Sequence, residues 1–90
     1  MKTLSNNREL YDYLLSLSAE LKQRGATALS EVVAFASAQG ASSSTEFLGE
    51  SRIALRQVLN EENGALTEQQ RTDLSDAIKQ LDAALGGRGQ

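Results

Sequence analysis

The sequence contains no cysteine, histidine, proline or tryptophan, and only two tyrosines and two phenylalanines among its 90 residues. Without cysteine there is no disulfide and no thiolate nucleophile. Without histidine there is no His-based triad and no Cys/His zinc site. Carboxylate-rich metal sites inside helical bundles complete their ligand set with Glu-x-x-His pairs, so that chemistry is excluded in its usual form. Long apolar runs are missing as well. A membrane-spanning helix needs about 20 such residues, and the nearest approach, residues 26–38, is interrupted by Thr27, Ser30, Glu31 and Ser37. After Lys2 come Thr3, Ser5, Asn6, Asn7, Arg8 and Glu9, which do not form the apolar core of a secretory leader. The expectation is a soluble, cytosolic protein with no membrane association.

A basic face is also lacking. Nine Lys and Arg against twelve Asp and Glu leave a net charge of −3. The excess of acid falls in residues 61–90, with three bases and six acids, while residues 1–25 hold four bases and three acids. No segment could neutralise a phosphate backbone, so nucleic acid is not an expected partner.

What the sequence does contain is helix signal. Leu10, Leu14, Leu17 and Leu21 recur at steps of four, three and four and stack on one face. Asn6 with Glu9 gives a cap before them, and Gly25 after Lys22 and Arg24 gives a stop. A second helix carries Leu29, Val32, Val33 and Ala36, and Glu31 is the only charge between residues 25 and 45. Because alanine lets neighbours approach closely, this helix is expected to be the most enclosed. Ser43 with Glu46 opens a third helix bearing Phe47, Leu48, Ala54, Leu55, Val58 and Leu59, closed by Asn63 and Gly64. Thr67 with Gln70 opens a fourth, with Leu74, Ala77, Ile78, Leu81, Ala84 and Leu85.

The pattern predicts an all-α, single-domain four-helix bundle or orthogonal four-helix array over residues 1–86, with helices at about 6–24, 27–39, 44–62 and 68–85. Residues 87–90 are expected to form a flexible tail. Roughly two dozen large apolar side chains are available for a common core.

Three stretches invite a chemical reading. Asn60 to Gly64 joins two helices through an acidic, glycine-containing loop, as a calcium-binding EF-hand does. With Gly64 at the sixth loop position, however, Leu59 and Gln70 fall at the first and twelfth, where carboxylates are required, so a helix stop is expected instead. Asp73 to Asp76 resembles, in altered order, the Asp-Ser-Leu of acyl carrier proteins, but Ser75 falls inside a helix rather than at its start. Arg52 and Arg56, one turn apart, form either a small anion spot or, more in keeping with surface arginines, a salt-bridged feature. The acids lie off the leucine stripes, as solvated faces do, and no metal, cofactor or catalytic group is expected.

The most suggestive residues are apolar ones off the stripes. Tyr11 and Leu15 project about 100° to 140° away from Leu10 on a helical wheel. Leu4 joins that side if the helix starts early, and Ile53 is a comparable outlier on the third helix. Leu4, Tyr11, Leu15 and Ile53 are therefore the candidate partner surface of a small non-catalytic interaction or regulatory module, self-associating as a homodimer. The alternative is a carrier, or a bundle that binds an apolar ligand where Ala34, Ala36 and Ala38 leave room between helices.

Overall fold

The computed structural model describes residues 3–41 and 43–86. The residues outside these ranges include the four of the expected C-terminal tail. Four α-helices follow one another: α1 (Asn7–Gln23), α2 (Thr27–Ala38), α3 (Ser44–Glu61) and α4 (Glu68–Ala84), with a 3₁₀ turn at Gln39–Ala41 after α2. Each begins and ends within one residue of the boundary expected from the sequence, and no strand is present among the described residues.

The boundaries are set by local chemistry. At α1 the Asn6 side chain accepts from the Glu9 N–H at 2.9 Å, while the Glu9 carboxylate accepts from the Ser5 N–H at 2.7 Å. Ser43 caps α3 through the Glu46 N–H. Thr67 and Gln70 form the reciprocal capping box expected for α4. Gly25 (φ 86) ends α1 in a Schellman arrangement, its N–H donating to the Lys22 carbonyl and the Ala26 N–H to that of Leu21. Ala26 is also the N-cap of α2, which has no side-chain cap, so one helix stops and the next starts without intervening chain.

Successive helices pack against one another. Ser18 faces Ser30 across α1 and α2; Arg52 and Arg56 face Asp82 across α3 and α4. The Leu4 N–H donates to the Gln80 side chain at 2.7 Å and so closes the N-terminal segment onto α4. The core gathers Leu10, Leu14, Leu17 and Leu21 of α1 with Leu29, Val33 and Ala36 of α2. Phe47, Ala54, Leu55 and Val58 of α3 and Leu74, Ala77, Ile78 and Leu81 of α4 complete it, with Leu66 from the α3–α4 loop. Thirteen of these residues are larger than alanine, fewer than the two dozen available, because Tyr11, Leu15, Phe35 and Ile53 face outward and others are only half-buried. Buried residues make up 5 of 12 in α2, against 4 of 17 in α1, 5 of 18 in α3 and 4 of 17 in α4, but half of the α2 residues are exposed, so α2 is divided between a core face and an open one and is not the most enclosed helix.

Polar groups inside the bundle are mostly partnered. The Ser18 hydroxyl donates to the Ser30 carbonyl at 2.9 Å and the Ser30 hydroxyl to the Ser18 carbonyl at 2.8 Å, a reciprocal clasp that draws α1 and α2 together. Ser51, on the core side of α3, is fully buried and its hydroxyl has no hydrogen-bond partner.

Candidate interaction surface

Two of the three chemical stretches singled out in the sequence take structural roles. Arg52 and Arg56 both reach Asp82, at 3.1 and 3.0 Å. Although desolvation opposes it, the hydrogen bonds and positive charges of these arginines hold the Asp82 carboxyl below its ordinary value. Their partner lies on α4 rather than among the acids near them in the chain. In the Asn60–Gly64 stretch, the Glu62 side chain is only 8 % exposed. It accepts from the backbone N–H groups of Gly64 and Leu66, both at 3.0 Å, and faces Arg71. The Glu62 carboxylate thus holds the turn between α3 and α4. Ser75 is half-buried in the middle of α4, beside an open cleft bordered by Leu59, Arg71 and Lys79. No group of three or more Asp and Glu side chains gathers where a metal could bind among the described residues. No helix among them is long and apolar enough to cross a membrane.

The four candidate surface residues divide. Tyr11, Leu15 and Ile53 are exposed, at 37 %, 43 % and 61 %. Leu4 is not part of that surface. It is half-buried against the core, in a crevice with Leu10, Leu48 and Leu81, because the chain before α1 folds down onto α4 instead of extending the helix. In its place stands Phe35, 64 % exposed. The signal for Phe35 was present in the sequence: at 100° per residue it lies about 200° from the core residue Val33.

Phe35 belongs to an organised face. The exposed residues of α2 are Thr27, Ala28, Glu31, Ala34, Phe35 and Ala38. They occupy an arc of roughly 120°, and Glu31 is its one charge. A cleft runs along each side of this ridge. Towards α1, a cleft of about 490 Å³ is lined by Arg8, Tyr11, Ser37, Ala38, Gly40 and Phe47, with Asn7 at its edge. Towards α3, one of about 390 Å³ has Ala28, Val32, Phe35, Ala36, Ile53 and Ala54 along its floor and walls. Glu31, Glu50 and Gln57 line it as well.

The register of α1 on α2, with Ser18 opposite Ser30 and Tyr11 beside Ser37 and Ala38, puts Leu15 level with Val33 and Ala34. Tyr11 and Leu15 therefore border the α2 ridge on one side and Ile53 on the other. The two sides differ in charge. The α1 cleft has one base and no acid, and the α3 cleft two acids and no base.

Tyr13, two residues from Tyr11, turns the other way. It is packed partly under the surface towards α4, where burial, reinforced by the Asp73 carboxylate, raises its phenol far above the ordinary tyrosine value. Comparison with protein-family models, curated protein sequences and solved structures finds no match for this chain.

Proposed function

We propose that this chain is a small, non-catalytic protein-interaction module acting in the cytosol. Its working surface is the outer face of α1, α2 and α3, with Phe35 at the centre and Tyr11, Leu15 and Ile53 around it. One observation carries the reading: Phe35 and Ile53 expose 64 % and 61 % of their surface on either side of one apolar cleft. Scattered exposed leucines are ordinary on soluble proteins, whereas large apolar side chains grouped around a cleft mark places where another surface docks. Aromatic side chains of this kind act as anchors at interfaces.

Site-specific photocrosslinking in cells that express the protein tests the proposal. A benzophenone amino acid at position 35 or 53 is expected to give discrete protein adducts. The same group at the exposed Lys79 of α4 is expected to give none. Equal labelling from all three positions would refute it.

A second reading rests on the α3-side cleft, whose lining by Ala28, Val32, Ala36 and Ala54 also suits a small apolar ligand. Native mass spectrometry of freshly isolated protein separates the two. A retained lipid-like mass supports the ligand, and bare polypeptide or its multimers support the protein partner.

A further inference from the structure

Resting on the interaction surface just proposed, we infer that the cleft between α2 and α3 receives a basic amphipathic helix of a partner protein. The apolar side of that helix lies against Val32, Phe35 and Ile53, and its lysines or arginines meet Glu31 and Glu50.

Charge is the first argument. The cleft is lined by Glu31 and Glu50 and by no base. Neither carboxylate has an ion-pair or side-chain hydrogen-bond partner among the described residues. By contrast, Asp12, Glu20, Glu62 and Asp82 each face an arginine. The bases nearest to Glu50 in the chain, Arg52 and Arg56, are turned to Asp82 on α4. Two uncommitted carboxylates beside exposed apolar side chains attract a cationic surface and repel an acidic one. They repel a fatty acid or an anionic headgroup too, which the apolar lining alone would admit. A second copy of this chain is also a poor match. Its net charge is −3, and its described arginines all face its own carboxylates.

Shape is the second. Ala28 to Phe35 on α2, and Glu50 to Gln57 on α3, line the cleft over seven residue steps each. That is about 10 Å, or two helical turns. A docked helix presents apolar anchors at i, i+4 and i+7 over that length. Ala28, Ala36 and Ala54 are small among the larger lining residues and leave the space of about 390 Å³ that such anchors fill. Both walls are α-helices, so the cleft offers no strand edge to an extended peptide, and recognition falls to side chains.

The test uses a synthetic amphipathic helix of about 14 residues, built from leucine and lysine with one tryptophan, and its counterpart with glutamate for lysine. The chain lacks tryptophan, so the peptide's fluorescence alone reports binding to the purified full chain. The lysine peptide should bind in the micromolar range, and the glutamate peptide at least tenfold more weakly. Phe35→Ala and Ile53→Ala should each weaken the lysine peptide by about tenfold. Glu31→Lys or Glu50→Lys should do the same, whereas Glu68→Lys, an equal change of charge on α4, should have less than a twofold effect. Position 50 is half-buried and the others are exposed, so unchanged helical circular dichroism is the folding control. No binding of the lysine peptide, equal binding of both peptides, indifference to Phe35→Ala and Ile53→Ala, or a loss from Glu68→Lys as large as from Glu31→Lys would each overturn the inference. Should positions 35 and 53 crosslink discrete proteins in cells while the lysine peptide fails to bind, the basic helix falls and the interaction module stands.

Discussion

Replacing Glu62 should reveal how much of the bundle depends on one turn. Its Oε1 accepts two backbone N–H groups, those of Gly64 and Leu66, and its Oε2 lies 3.7 Å from Arg71. In Glu62→Ala the part-buried Leu66 N–H loses its acceptor, at a cost of about 1–2 kcal/mol. The exposed Gly64 N–H can turn to water, so its loss adds only about 0.5 kcal/mol, and the partly exposed Arg71 pair about another 0.5 kcal/mol. The sum is about 2–3 kcal/mol, a large share of the roughly 5–10 kcal/mol expected for a domain of this size. With a urea m-value near 1.2 kcal/mol/M, the midpoint should fall by about 2 M. Glu62→Gln keeps a carbonyl oxygen for both N–H groups and loses only the ion pair, so it should cost about 0.5–1 kcal/mol. Urea denaturation of both variants gives these numbers directly, and hydrogen exchange at the Leu66 amide reports the same contact. An Ala variant within 0.5 kcal/mol of the parent, or a Gln variant as damaging as Ala, would refute the assignment.

Three further predictions follow from the same contacts. Ser51→Ala removes a buried hydroxyl that lacks a partner, and alanine is the better helix former, so the urea midpoint should rise by about 1 kcal/mol equivalent at constant m-value. Tyr13 should make the protein sensitive to alkali. Below pH 10 the phenol is neutral in both states and its contribution is fully present. Above it the unfolded chain ionises while the folded one resists, so stability falls by about 1.4 kcal/mol per pH unit until the folded-state value is reached. Tyr13→Phe should flatten that limb in urea titrations between pH 8 and 11.5, and parallel curves for the two proteins would contradict the raised pKa. The glycines should respond in opposite directions by thermal denaturation. Gly25→Ala, at φ 86, should cost about 1 kcal/mol. Gly49→Ala, inside α3 with open space around the added Cβ, should gain about as much.

Much of this fold was legible in the sequence, for a local reason. Helix caps and stops act within four residues, so Asn6, Gly25, Ser43 and Thr67 announced their boundaries without knowledge of the tertiary structure. Core stripes are likewise a property of a single helix. What the sequence did not disclose are relations between helices. Asp82 is 26 residues from Arg56, and nothing in helical periodicity says that α4 passes beside α3 at that register. The burial of Leu4 depends on Gln80, 76 residues away. Phe35 is a different case, since its opposition to Val33 could be read from the wheel. The even scatter of alanine around α2 blurred the contrast between faces that had exposed Leu15 beside Leu14.

The shared residue between α1 and α2 bears on the order in which the molecule assembles. Ala26 completes one helix stop and begins the next helix, and Ser18 and Ser30 clasp across only 12 residues of chain. Closing so short a loop has a small entropic cost, so the α1–α2 hairpin is the natural place for folding to nucleate. The strap formed by Leu4 and Gln80 spans nearly the whole chain and belongs to the last stage. Substitutions at the serine clasp should therefore slow refolding, whereas loss of the Leu4 contact should chiefly speed unfolding.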